Sequence, residues 1–444
     1  MRTRRLTTCR IRSFTIFTVN EGYRVKRIIA ATLLICLLLS GCKATAGGAF
    51  FDRLTSDEGG SDLLTVKDST SRLDIYPESA NTVGKFDRMQ FAELNELQKS
   101  IYIKIDNAAY DMKTGFIDVG ECSYRDLELA YFSLRCDRPE YFWLPTTYTL
   151  SVVGEHRRIQ LAEDGNDWVC SAAERREAER VIRELLAEFY GTVTEDMTEY
   201  DRELAAHDWL AEKISYDHRA IGDDGKLKTD QYPDSWSIKG ALVGGTAVCV
   251  GYSKAVQTVM YMLGLQCGIV AGRTDEPHMW NIIKIDGMWY HLDLTSDDAD
   301  DENTYYSYFN VTDELLLKGR TVYGDFDSVT DDMVETGDYN YQLPSCTSIR
   351  SYYFVKEGAY ITEKSQIKSA VVSLVCAAVR SGEGSVEIGF STDIGIDYET
   401  DDPDSFFELS KAVNAANDEL PRGSKLKMYK WGYFKNGYSV KISW

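Results

Sequence analysis

The sequence predicts an α+β fold in which a cysteine-led helix packs on an antiparallel sheet, with smaller α/β modules on either side. Three observations predict it. "SAAERREAERVIRELLAEFYG" is a long amphipathic helix, with Ser171 as its N-cap and Gly191 as its stop. In "TAVCVGYSKA" (Thr246 to Ala255), Cys249 opens a second helix, whose apolar positions Val256, Val259, Met260 and Leu263 run to a stop at Gly264. Asp286-Gly287 between two apolar runs is the signature of a two-residue hairpin turn. At 444 residues the chain is too long for one ordinary domain, so two or three cores are expected.

Near the N-terminus, Lys26 and Arg27 precede an apolar stretch from Ile28 to Leu39 that is too short to span a bilayer comfortably. It ends in Leu39-Ser40-Gly41-Cys42, which resembles the bacterial lipobox. The resemblance implies an exported lipoprotein of the outer face of the cytoplasmic membrane, cleaved after residue 41 and acylated on Cys42. Residues 1–24 fit no signal-peptide pattern, which suggests a true start near Val25; Arg4-Arg5 stands too far from the apolar run for a twin-arginine signal. Residues 42–85, rich in Gly, Ser, Thr and Asp, are expected to form a flexible tether.

Residues 86–197 read as an N-terminal α+β module. A helical pattern runs from Met89 through Phe91, Leu94, Leu97 and Ile101; "RPEYFWLPTTYTLSVV" and "RRIQLA" read as strands, ahead of the Ser171 helix. Residues 198–325 form the central unit, opening with the helix of "TEYDRELAAHDWLAEKISYD". Residues 326–444 form a C-terminal α/β module, with strands at "SYYFVKEG", "SVEIGFS" and "YSVKISW" and helices at "KSAVVSLVCAAV" and "SFFELSKAVNAANDEL".

Charge and cysteines narrow the function classes. The full chain has 49 Lys and Arg against 70 Asp and Glu; removing residues 1–41 takes away eight basic residues and one acidic, which leaves a net charge near −28. Such a surface repels nucleic acid and anionic headgroups, so the expected membrane attachment is the lipid and not a basic patch. Beyond Cys9, Cys36 and Cys42, seven cysteines remain, an odd number with no CxxC pair, so neither a full set of disulfides nor a structural zinc site is indicated.

A thiol at a helix start has two readings. It is either a packed small hydrophobe or a nucleophile favoured by the helix dipole. The hairpin bears on the choice. With Ile285 opposite Met288, Asp293 faces Trp280 and His278 faces Thr295, so all four share one face and His278 neighbours Asp293 diagonally. The opposite face, with Met279, Ile283, Ile285, Met288, Tyr290, Leu292 and Leu294, is the expected core side. An imidazole beside a carboxylate is what a thiol nucleophile requires: a base, and a group that fixes its tautomer.

"TAVCVGYS", "HMWN" and "WYHLDLT", in that order, resemble the transglutaminase-like superfamily, whose core is papain-like; "ISYD" and "YSYFNVTDE" resemble its flanking stretches, and "DRPEYFWL" a stretch found ahead of that core. The resemblance implies a cysteine protease, amidase or acyltransferase with Cys249 as nucleophile, His278 as base and Asp293 as its orienting group. It implies no cofactor, and a protein or cell-wall peptide as substrate. Many bacterial members have Trp after the D-x-T, where this chain has Ser296, so a changed pocket wall is expected. The alternative is a non-catalytic surface protein that uses the same fold for binding.

Other residues carry weaker expectations. Tyr216 and Trp236 are candidates to line the pocket or to join the Cys249 backbone N–H in an oxyanion hole. Trp280 either packs over the His278–Asp293 pair or belongs to the core. His207 and His218 read as surface or packing residues, and His291 as a solvent-exposed strand position. "SDDADDEN" (Ser296 to Asn303) lacks the spacing of a calcium loop and reads as solvated, so no metal is expected.

Overall fold

In a computed structural model, residues 75–77, 80, 88–163, 168–221, 228, 231–274, 277–298, 304–316, 319–322, 343–396, 403–434 and 438–444 are described. The expected signal segment, Cys42 and nearly all of the tether lie outside them. The architecture is α+β, with three sheets of three or more strands strung along the chain.

The N-terminal part contains helix α1 (Glu96–Tyr110), strand β1 (Phe116–Glu121), helix α2 (Tyr124–Asp137), hairpin β2 (Thr149–Val153) and β3 (His156–Gln160), and helix α3 (Ala172–Tyr190). Its antiparallel sheet has the order β1-β3-β2. Ser171 caps α3 in a capping box with Glu174, and Gly191 ends it, as the sequence indicates. The helical pattern begun at Met89 does not run on unbroken. It stops at Glu93, because the Asn95 side chain accepts from the Gln98 N–H and restarts the chain as a capped α1. "RPEYFWLPTT" is likewise not a strand but a buried turn, since its two prolines cannot donate to a ladder. Tyr141, Phe142 and Trp143 are sealed inside, with Trp143 Nε1 donating to Ala109 O at 2.8 Å.

The central part runs through α4 (Glu199–Lys213), the two-residue strands β4 (Ser215–Tyr216) and β5 (Thr246–Ala247), and helix α5 (Cys249–Met262). It continues through β6 (Cys267–Arg273), β7 (Pro277–Ile285), β8 (Met288–Leu292), the short helix α6 (Leu294–Asp297), β9 (Phe309–Val311) and β10 (Thr321–Val322). The five-stranded antiparallel sheet has the order β10-β6-β7-β8-β9. The hairpin register is the one expected, Ile285 opposite Met288 through to Asn281 opposite Leu292, with Asp286 and Gly287 both at positive φ in the turn. Helix α5 is buried from Gly251 to Met262. It crosses the sheet face that carries Asn281, whose Nδ2 donates to Ser253 O at 2.9 Å.

The expectation of a single core face does not hold. Trp280 and Ile282, on the other face, are also sealed, packed with Val311, Tyr308, Cys346, Tyr352 and Phe354. The residues after 342 cover that side. "SYYFVKEG" is accordingly not a strand: Tyr353–Lys356 is one helical turn that presses Phe354 into this second core.

The C-terminal part has β11 (Tyr360–Ile361), α7 (Ile367–Ser381), β12 (Ser385–Phe390), α8 (Leu409–Glu419), β13 (Lys430–Phe434) and β14 (Ser439–Ser443). Its sheet order is β11-β12-β14-β13, over its own core of Val371, Val375, Ile388, Phe390, Val413 and Ile442. The helix expected from Ser405 is interrupted at Glu408, which sits at φ 48°. Among the described residues no helix is long and apolar enough to cross a membrane.

Candidate functional site

Cys249 is the first residue of α5, and it is half-buried. Val248, extended, precedes it without a side-chain cap, and no acidic residue lies in the first turn. That helix end is therefore left with N–H groups able to meet an anion. A clasp of backbone bonds positions it. Strand β4 pairs in parallel with β5, Asp217 N donates to Ala247 O at 2.9 Å, and Val248 N donates to Ser235 O at 3.0 Å. The Asp217 carboxylate, buried, accepts from Ser235 Oγ at 2.6 Å and from two Arg219 nitrogens at 2.7 and 3.0 Å. Arg219's hydrogen bonds hold its pKa down, to about 2. The same clasp brings Tyr216 and Trp236 to the start of α5, both half-buried; the Trp236 Nε1–H is buried without a partner.

His278, on β7, bonds through Nε2 to Asp293 Oδ2 at 2.8 Å, and it lies close enough to the Cys249 thiol for the two to influence each other's charge. With Nε2 committed to the carboxylate, Nδ1 is the nitrogen left for a second partner. Burial alone would lower the basicity of His278, but the Asp293 charge, the bond to Asp293 and the nearby Cys249 raise its pKa to about 9. Trp280 lies alongside, its ring 6.0 Å from the imidazole at 24°. Both readings of this tryptophan therefore apply, because it is a core residue and a wall for His278.

Asp293 reaches His278 by a route slightly different from the expected one. The ladder ends at Asn281–Leu292, and Asp293 turns out of the strand to cap α6, so Thr295 lies on that helix and not opposite His278. The carboxylate is buried and heavily donated to. Oδ2 accepts from His278, from Ser296 Oγ at 2.8 Å and from Arg320 Nη1, while Oδ1 accepts from Ser296 N at 3.3 Å. Burial opposes its ionisation, but Arg320, His278 and Ser296 outweigh it and hold the carboxyl well below its usual range. Nothing in the sequence marked Arg320, a single arginine well downstream of the motifs.

Two further expectations are overturned. His291 is not exposed: it is buried by the second core, accepts from Trp280 Nε1 at 3.1 Å on Nδ1, and donates from Nε2 to Asp313 Oδ1 at 3.0 Å. His291, Asp313 and Cys346 are the one trio of potential metal ligands to converge among the described residues. The Trp280 bond, however, requires Nδ1 to be bare, so the neutral ring carries its proton on Nε2, the atom a metal would need. The trio is better satisfied as a hydrogen-bond chain, closed by Cys346 N donating to Asp313 Oδ2 at 2.9 Å. The run Ser296–Asn303 is also not simply a solvated loop. Its residues 299–303 lie outside the described ones, but Asp297 is sealed, 3.4 Å from His207 Nε2, and accepts from Tyr308 N. His207 is thus a buried packing residue, while His218 is exposed.

The chain is an α+β protein in which a cysteine opens a helix and a histidine on an antiparallel hairpin is held by a buried aspartate. Residues 188–294 match the family model of the transglutaminase-like superfamily. Among solved structures, it resembles one described as "Crystal structure of a TGase" at 16% identity, over 50% of this chain and 59% of that one, with a TM-score of 0.26. It also resembles a candidate cysteine protease from Cytophaga hutchinsonii at 11% identity, over 40% of this chain and 65% of that one, with a TM-score of 0.21. The chain therefore spans less than two thirds of either structure. No curated protein matches it.

Proposed function

We propose that the protein is a lipid-anchored surface enzyme that performs thiol-dependent acyl transfer or hydrolysis on protein or cell-wall peptide amides. The observation that supports the chemistry is the His278–Asp293 hydrogen bond together with a cysteine, Cys249, that opens α5 and influences the same imidazole. The anchor and the surface location rest on the lipobox-like Leu39–Cys42 alone.

In this reading, His278 takes the thiol proton on Nδ1, and the thiolate attacks the amide carbonyl to form a carbon–sulfur bond. His278 then returns the proton to the departing amine as the carbon–nitrogen bond breaks, leaving a thioester. Water or a second amine, deprotonated by His278, attacks the thioester, and the sulfur leaves to recover the proton. Asp293 keeps the Nε2–H directed away from the sulfur and offsets the imidazolium charge. The Cys249 backbone N–H and Trp236 Nε1–H, the latter buried and without a partner, are the groups assigned to the carbonyl oxygen. Hydrolysis is the favoured outcome, because water is abundant at a surface site and no site for an acceptor amine can be read in the sequence.

The test needs no known substrate. Iodoacetamide labelling, mapped by peptide, should modify Cys249 far faster than the buried Cys267 and Cys376, and His278→Ala should remove that advantage. Equal rates at the three thiols, or no dependence on His278, would sink the enzyme reading in favour of a binding protein. A panel of peptide and cell-wall amides, compared between wild type and Cys249→Ala, then separates hydrolysis from transamidation by product mass.

A further inference from the structure

We propose that Arg320 is a positioning residue that sets how tightly Asp293 holds the proton on His278, and so tunes the pH range over which the Cys249–His278 pair works. This rests on the thiol–imidazole reading above.

The guanidinium is held through both of its Nη atoms, while Nε is buried without a hydrogen-bond partner. Its Nη1 donates to Asp293 Oδ2, the same oxygen that bonds His278, and its Nη2 donates to Ser296 Oγ at 2.9 Å. Ser296 Oγ donates in turn to Asp293 Oδ2 at 2.8 Å, which closes a ring of three groups. The cation sits 4.1 Å from the Tyr308 ring centre and 5.4 Å from that of Trp280, the residue that flanks His278. Its side chain is 2% exposed. An orienting carboxylate needs only to accept the imidazole N–H. A buried cation on the accepting oxygen does something more, because it weakens the charge that stabilises imidazolium.

Among the described residues, the charged and titratable groups around this knot are few. Cys249 faces His278 from α5 and Asp293 from the start of α6. Arg320 faces Asp293 from the segment before β10, and Tyr308 and Asp297 act on the same knot. His291, on β8, lies within the field of Arg320; burial keeps its basicity low, so it is neutral near pH 7. Arg320 therefore offsets part of the Asp293 charge, and imidazolium forms beside a carboxylate whose pull is reduced but not removed. Without the arginine charge, the carboxylate would hold the proton to higher pH and His278 would release it less readily to a leaving amine.

The experiment uses the full chain and the pH profile of Cys249 alkylation by iodoacetamide, reading the alkaline transition that His278→Ala abolishes. Arg320→Gln keeps a donor to Asp293 but removes the charge, and should move that transition upward by about one pH unit. Arg320→Lys keeps the charge and should leave it in place. An unmoved transition in Arg320→Gln, or equal shifts in both variants, overturns the inference. Should Arg320→Gln fail to fold by circular dichroism, Ser296→Ala carries the test, since it loosens the cation without removing it. A smaller upward shift supports the proposal, and an unchanged transition overturns it. If wild type shows no His278-dependent transition at all, the thiol–imidazole reading itself has failed, a result distinct from an unmoved one.

Discussion

Gly251, in the first turn of α5, offers a test of how packing positions Cys249. A β-carbon there would stand 2.6 Å from the Ser235 carbonyl oxygen, 2.7 Å from the Ala247 β-carbon and 3.3 Å from the Ser237 carbonyl oxygen. Two of these neighbours are backbone atoms of the clasp that fixes the helix start, so no side-chain rotation relieves the clash. In an open helix Gly→Ala would gain about 1 kcal/mol of helix propensity. Here overpacking against backbone costs ~1–3 kcal/mol and wins. We expect Gly251→Ala to lower stability by about 1–2 kcal/mol in urea unfolding, and to slow Cys249 alkylation as the clasp lifts from the helix start. Gly384, with nothing within 4 Å of its would-be β-carbon, is the control: Gly384→Ala should change stability by less than ~0.5 kcal/mol. A Gly251→Ala protein as stable as wild type, with Cys249 equally reactive, would refute the idea that this contact sets the nucleophile's position.

Two other outcomes follow from buried charge. Asp293→Asn leaves Arg320 as an uncompensated buried cation, so unfolding should become easier by ~3–5 kcal/mol; unchanged stability would mean that the pair is not ionised. The pH dependence of melting also has a defined sign. His207 and His278, raised to about 9, contribute stability that is full below their unfolded value of ~6.5 and is lost as pH rises through 9. Burial raises Asp297 to about 6, Asp137 and Glu387 to about 7 and Glu203 to about 8; each prefers its proton in the folded state and so also loses stability as pH rises. Asp217 and Asp293, both depressed, act oppositely and lose stability as pH falls below ~4. Lys254, lowered to about 8 by burial, opposes the trend only above that pH. The melting temperature should therefore fall between pH 6 and 8 in scanning calorimetry, and a steady rise over that interval would contradict the assignment.

The parts of the site that lay in local sequence were legible, and those built by distant chain were not. Asp286-Gly287 set the hairpin register, and from the register came the nearness of His278 and Asp293. The capping residue was equally readable: Ser171 caps its helix as expected, though the box it forms with Glu174 was not foreseen. Periodicity misled where a cap overrode it, as at Asn95, and aromatic content misled at "RPEYFWL", where prolines turn the chain and burial, not pairing, uses the rings. Arg320 could not be found this way, since its partner is 27 residues distant and the bond depends on how the strands stack.

His291 is the more instructive miss, because its signal was present. "HMWNIIKI" places Trp280 and Ile282 on one face and Ile283 and Ile285 on the other, a run apolar on both sides, which marks a strand buried on both faces. Once both faces are buried, an imidazole between them must be bonded, and the Trp280 and Asp313 bonds follow from that need. The cover comes from Cys346, Tyr352 and Phe354, so the C-terminal part is not a free appendage. It closes the core in which Trp280 stands against His278, and Asp313 and Cys346 exchange backbone and side-chain bonds at its edge. The geometry of the imidazole near Cys249 thus depends on chain more than fifty residues beyond the last residue of its motif.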